Sequence, residues 1–141
     1  MEREKSCGAI VFYKDDELKF LVIHHHKDHG DHRDFPKGHV EKGESESETA
    51  SREVFEETGV KIEIVNGFKE IVSYTMDNGI GKDVVYFLAN PINLDIKIDP
   101  NGLQDAGWFT YEEALKRFTF DNARQLLKKA KAFIDKELTS N

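Results

Sequence analysis

At 141 residues, 38% of them hydrophobic and 33% charged, the chain has the size of one domain with a buried core, expected to span residues 1–141. Its net charge of −7 excludes a broad nucleic-acid-binding surface, so cations that meet phosphate must be concentrated locally or supplied by metal. One cysteine, Cys7, excludes an intrachain disulfide. The polar start Met1–Lys5 and the lack of an apolar run of membrane length point to a cytoplasmic protein without a membrane partner.

The first predicted element is a strand over 6–13, in which Cys7 is expected to be buried and inert. A turn over Lys14–Glu17 leads to a second strand over 18–24, with the apolar run Phe20–Ile23. The two suggest a hairpin covered on both faces. A histidine-rich loop follows, from His24 to His29 and on to His32. Its spacing matches no closed zinc site, and it reads as a polar loop near a binding site. Pro36 then fixes the backbone before Lys37 and Gly38.

Residues 38–60 read as a glycine-bearing loop that becomes a helix. Ser45 or Ser47 caps its start, and Gly59 stands where a helix ends in the left-handed conformation. Glu53, Glu56 and Glu57 share one face, since residues three and four apart meet on a helix. Three carboxylates on one patch repel, and Arg52 cannot neutralise them all. A hard divalent cation would, whereas the bland reading is a solvated acidic face.

Beyond the helix, residues 61–65 read as a strand, Asn66-Gly67 as a turn, and residues 68–74 as another strand. The run 76–81 is a loop, and Val84–Leu88 lies in a buried strand over 82–89. Residues 91–98 alternate like a short edge strand, and 99–102 form a loop. A strand over 106–109 precedes a helix that Thr110 caps, with Glu113 at capping-box spacing. The last helix, 121–138, places Ala123, Leu126, Leu127, Ala130, Phe133 and Ile134 on one face. Strands around one central helix, closed by a C-terminal helix, predict an α+β protein built as an α/β/α sandwich.

The central stretch also carries a pattern. Gly38, Glu44, Arg52-Glu53-Val54, Glu56-Glu57 and Gly59-Val60 fix nine positions over 23 residues. In this the chain resembles the Nudix hydrolases, and the resemblance implies a mixed-sheet Nudix fold and a metal-dependent pyrophosphohydrolase. It implies that Glu53, Glu56 and Glu57 hold Mg2+ (or Mn2+), with the Gly38 carbonyl as a further ligand. Arg52 then holds a carboxylate by a bidentate pair, Glu44 is an auxiliary or transient metal partner, and the general base is Glu53 or another acidic group.

Phe35–Glu41, Gly67–Glu70 with Tyr74, Lys82–Ala89, and Trp108 before Glu112-Glu113-Ala114 resemble the asymmetrical diadenosine tetraphosphate hydrolases over roughly residues 7–135. That implies hydrolysis of a dinucleoside polyphosphate bridge to ATP and AMP. His32, Lys37 and Lys82 match the phosphate-contacting positions, and Tyr74 and Phe120 match an adenine-stacking pair; core packing is the alternative for Phe120. One position departs. Relatives carry a glutamate before the tryptophan where this chain has Gly102 or its neighbours, and Asp99 and Asp105 are the nearby acids. The alternatives are a Nudix enzyme acting on RNA 5′ ends, nucleoside triphosphates or diphosphoinositol polyphosphates, or an inactive nucleotide-binding module. No stable nucleic-acid binding and no protein partner are expected.

Overall fold

The structure is a computed structural model, and it describes residues 2–138. Seven strands form one mixed sheet: β1 (Arg3–Lys14), β2 (Leu18–His25), β3 (Arg33–Asp34), β4 (Lys37–His39), β5 (Ile62–Thr75), β6 (Gly81–Pro91) and β7 (Leu103–Thr110). The helices are α1 (Glu46–Thr58), α2 (Tyr111–Arg117) and α3 (Asp121–Phe133), with α3 continuing into a wider turn over Ile134–Leu138.

β1 runs through the middle. Along one side it pairs parallel with β6. Along the other it pairs with β4 near its start and with β2 near its end, both antiparallel. β2 carries β7 on its far edge. Side chains alternate across the sheet because a strand has a period of two. Ile10, Phe12, Phe20, Val22, Val84, Tyr86 and Leu88 pack in one cluster with Leu126, Leu127 and Ala130 of α3. Ala9, Val11, Leu21 and Ala89 pack on the other face with Val54 of α1. The expected α/β/α sandwich is therefore present, and the β1–β2 hairpin is covered on both faces. Cys7 is fully buried, and burial pushes its thiol up to about 11, so it is inert as expected.

The helix ends follow local chemistry. Ser45, not Ser47, caps α1, and Glu48 returns a bond to complete the capping box. Gly59 closes the helix at φ +74°. Thr110 and Glu113 make the same box on α2. Among the described residues no helix is long and apolar enough to cross a membrane.

Two expectations fail. Asn66-Gly67 is not a turn between strands: β5 runs from Ile62 to Thr75 and pairs with β6 on both sides of the dipeptide. The ladder steps from Val65 opposite Leu88 to Lys69 opposite Phe87, so the intervening residues form a bulge. Gly67 permits this at φ +100° beneath the Phe133 ring. Residues 91–98 are likewise not a strand beyond the Pro91 end of β6. Their polar groups go elsewhere: Lys97 N–H donates to Thr58 O, Asn93 Nδ2 to Gly59 O, and the Trp108 indole to Leu94 O. The segment closes the end of α1 instead of extending the sheet.

Candidate active site

Gly8 has no room for a side chain, because a Cβ there would overlap Pro36 O and Lys37. β4 therefore lies flat on β1 and presents Lys37, Gly38 and His39 to α1. The Lys37 N–H donates to Glu57 Oε1 at 3.1 Å. The Glu53 carboxylate lies directly over Gly38, where a Cβ would overlap it. Gly38→Ala must displace Glu53 or the strand. We expect at least a tenfold loss of turnover with a measurable drop in Tm, read by steady-state kinetics and thermal melting, from overpacking of about 1–3 kcal/mol.

Arg52 organises the carboxylates. Its Nε and Nη2 grip Glu44 Oε2 and Oε1 at 2.6 and 3.0 Å, the expected bidentate pair. Its Nη1 donates to Glu56 Oε1 at 2.8 Å and Glu53 Oε1 at 3.2 Å, and Nη2 also donates to His39 O at 2.9 Å. Glu44 further accepts from the Glu41 N–H and the Thr49 hydroxyl. The Arg52 fork, followed by these bonds, holds the Glu44 carboxyl down at about 2. Glu44 thus anchors the arginine with both oxygens.

Glu53 and Glu57 behave oppositely. Burial raises the Glu57 carboxyl to about 8, with the neighbouring Glu53 charge adding to it. Burial also raises Glu53, next through its contact with Glu56. Two desolvated carboxylates close to one another beside Gly38 are oxygen donors that suit a hard divalent cation. Among the described residues no three His, Cys, Asp or Glu side chains converge as a metal site. Glu53, Glu57 and Gly38 are brought together, and Glu56 touches Glu53 while bonded to Arg52.

Beside these groups opens a cavity of about 590 Å³. Its wall includes His32, Lys37, Tyr74 and Phe120, four of the five residues expected at the substrate, together with Asp34 and Tyr86. Tyr74 and Phe120 are exposed at 41% and 56%, which excludes core packing as the role of Phe120. Phe120 is held in place by its neighbours: Arg33 N–H donates to the Thr119 hydroxyl at 2.8 Å, and Arg124 Nη1 donates to Phe118 O at 2.5 Å. The His32 ring lies 5.6 Å from Phe120 and stacks on His25 at 4.2 Å. Burial lowers the His32 pKa, followed by the Lys37 charge, which keeps the ring neutral. The remainder of the histidine loop is tied down separately, with His24 and Gln104 both on Asp31.

Lys82 stands apart from the cavity lining. It faces Tyr74 across the β5–β6 ladder, but it is 7% exposed. Its ammonium meets His39 Nε2 at 3.0 Å and Glu4 at 3.8 Å. Asp99 and Asp105 also stand apart. Asp99 Oδ1 accepts the Asn101 N–H and closes its own loop, while Asp105 faces a small recess with Arg33 and Arg117. Two residues were missed from sequence. Asp34 pairs with Lys37 inside the cavity, and His39 receives Lys82. The three-residue spacing of Asp34 and Lys37 around Pro36 was the only available signal.

The comparisons agree with this geometry. A family model described as NUDIX domain matches residues 3–130. The chain is 30% identical to a mouse protein named bis(5′-nucleosyl)-tetraphosphatase (asymmetrical), covering 92% of this chain and 95% of that one. It is 37% identical to a NAD-capped RNA hydrolase NudC of Mannheimia succiniciproducens, over 57% of this chain and 29% of that one. A crystal structure of a C. elegans Ap4A hydrolase binary complex superposes with a TM-score of 0.82 at 29% identity, covering 94% of this chain and 98% of that one.

Proposed function

The chain belongs to the Nudix hydrolase family, and on that premise we propose that it hydrolyses the polyphosphate bridge of dinucleoside polyphosphates, converting diadenosine tetraphosphate to ATP and AMP. One observation carries the reading. Lys37 joins the two halves of the site, since its backbone N–H bonds Glu57 while its side chain lines the aromatic cavity. A nucleoside held in the cavity therefore delivers its phosphates to the carboxylate face. The near full-length likeness to asymmetrical tetraphosphatases supports this substrate class, whereas the NudC likeness covers little more than half of the chain.

Each residue then has a task. Tyr74 and Phe120 stack a base, a contact worth about 1–3 kcal/mol per base. Lys37 and neutral His32 offer donors to the phosphates nearest the cavity. Glu53, Glu57, the Gly38 carbonyl and Glu56 would hold magnesium or manganese, which when bound would supply positive charge against the phosphoryl oxygens and lower the pKa of water. Glu53 or another carboxylate of this cluster takes the proton from the attacking water. Arg52 keeps the cluster oriented through Glu44.

The test is a product assay with magnesium over diadenosine tetraphosphate, triphosphorylated RNA, NAD-capped RNA, nucleoside triphosphates and diphosphoinositol polyphosphate. ATP plus AMP from the first, at an efficiency no lower than that of any other substrate, is required. Preferential release from another substrate overturns the reading, and binding without turnover marks a nucleotide-binding module. Tyr74→Ala and Phe120→Ala should each raise KM for diadenosine tetraphosphate by roughly tenfold with little change in kcat. An unchanged KM would remove the aromatic pair from the base site.

A further inference from the structure

The cation of the cavity wall is already matched by a carboxylate. Among its described lining residues Lys37 is the one lysine or arginine, and it is paired with Asp34, while the other lining carboxylate, Asp121, is exposed and pairs with Arg124. Asp34 Oδ2 accepts from Lys37 Nζ at 2.9 Å, and its Oδ1 accepts the Phe35 N–H at 2.7 Å. Both side chains are mostly enclosed, 15% exposed for Asp34 and 16% for Lys37, so water screens the pair poorly. Neither can drift far. Phe35 is fully buried, Pro36 O accepts the Ala9 N–H, and the Lys37 N–H is held by Glu57. A phosphate that comes to Lys37 therefore meets the Asp34 anion at the same place.

We propose that Asp34 is a specificity-determining residue: it cancels the Lys37 charge and excludes metal-free phosphate chains, so that the site accepts a polyphosphate as its divalent-cation complex. The statement about the substrate rests on the reading above, but the charge arrangement is testable without it. A free chain meets a neutralised lysine and the enclosed Asp34 carboxylate. A chain whose charge a cation has already reduced is repelled far less, and Lys37 can pass from Asp34 to a phosphate oxygen at little cost.

Tripolyphosphate is the probe, titrated calorimetrically with EDTA and again with magnesium. Asp34→Asn keeps the Oδ1 acceptor for Phe35 and removes the charge. It should bind metal-free tripolyphosphate about tenfold more tightly than the wild type, with the two proteins within about twofold of each other in magnesium. Asp34→Glu should keep the wild-type discrimination, and Lys37→Met in the Asp34→Asn background should remove the gain. A role limited to holding the loop would move both conditions together. Equal metal-free affinity of wild type and Asp34→Asn, no binding by Asp34→Asn, or an equal gain in magnesium overturns the proposal. If Asp34→Asn fails to show a wild-type melting transition, Asp34→Ser takes its place with the same expected gain. Failure of the wild type to release ATP and AMP would overturn the substrate reading instead, leaving the tripolyphosphate result intact.

Discussion

Glu57→Gln is expected to lower turnover by roughly 100- to 1000-fold while the protein stays folded, the scale seen when one preorganised electrostatic group is lost from a site. The substitution keeps the size and leaves an oxygen for the Lys37 N–H, so β4 stays where it is. It removes half of the pair of desolvated carboxylates beside Gly38. The same change acts on stability with a definite sign. The Glu57 carboxyl is raised to about 8 in the folded protein, above its ordinary 4.5. Between those values the folded chain keeps a proton that the unfolded chain has released, so metal-free stability falls as pH rises. In EDTA, Glu57→Gln should flatten that slope and melt above the wild type at pH 8. Magnesium should raise the wild-type Tm at that pH and do little for the variant. Wild-type turnover in Glu57→Gln would remove this residue from the reaction, and an unchanged melting response to magnesium would remove it from the cation.

Arg52→Met should damage both turnover and stability. One guanidinium serves Glu44, Glu53, Glu56 and the His39 carbonyl. Without it the Glu44 carboxylate, 19% exposed, loses both of its charged contacts. Leaving that carboxylate without its cation should lower Tm measurably. The remaining carboxylates lose the fork that sets their positions, and we expect a fall in kcat of roughly 100-fold or more. Arg52→Lys should restore part of the stability and little of the rate, because one ammonium cannot make the forked contact. Chemical denaturation and single-turnover kinetics read the two effects separately. A loss of stability with normal kcat would make Arg52 a purely structural brace.

The helix α1 was legible because its signals are local. Ser45, Glu48 and Gly59 act within a turn of themselves, and the spacing of Glu53, Glu56 and Glu57 fixes their shared face. The same holds for the α2 capping box and the apolar stripe of α3. Asn66-Gly67 misled because a turn-type dipeptide also suits a bulge. The pairing of β6 on both sides of it decided the outcome. Residues 91–98 misled because their alternation has no neighbouring strand to meet, and their donors found the end of α1.

The sequence by itself determined the carboxylate helix, because capping and face-sharing are set by residue type at short range. Tyr74 and Phe120 came from the family resemblance, and their place on one cavity was decided by the fold. Only the tertiary structure decided which charges meet. Lys82 lies far from His39 in sequence, and β6 and β4 bring them together across β1, outside the cavity. Lys37 and Asp34 are only three residues apart, yet the buried backbone on either side is what holds them against one another. Charge spacing along a helix shows that a cation is needed. The buried partners across the sheet decide which cations are free to supply it.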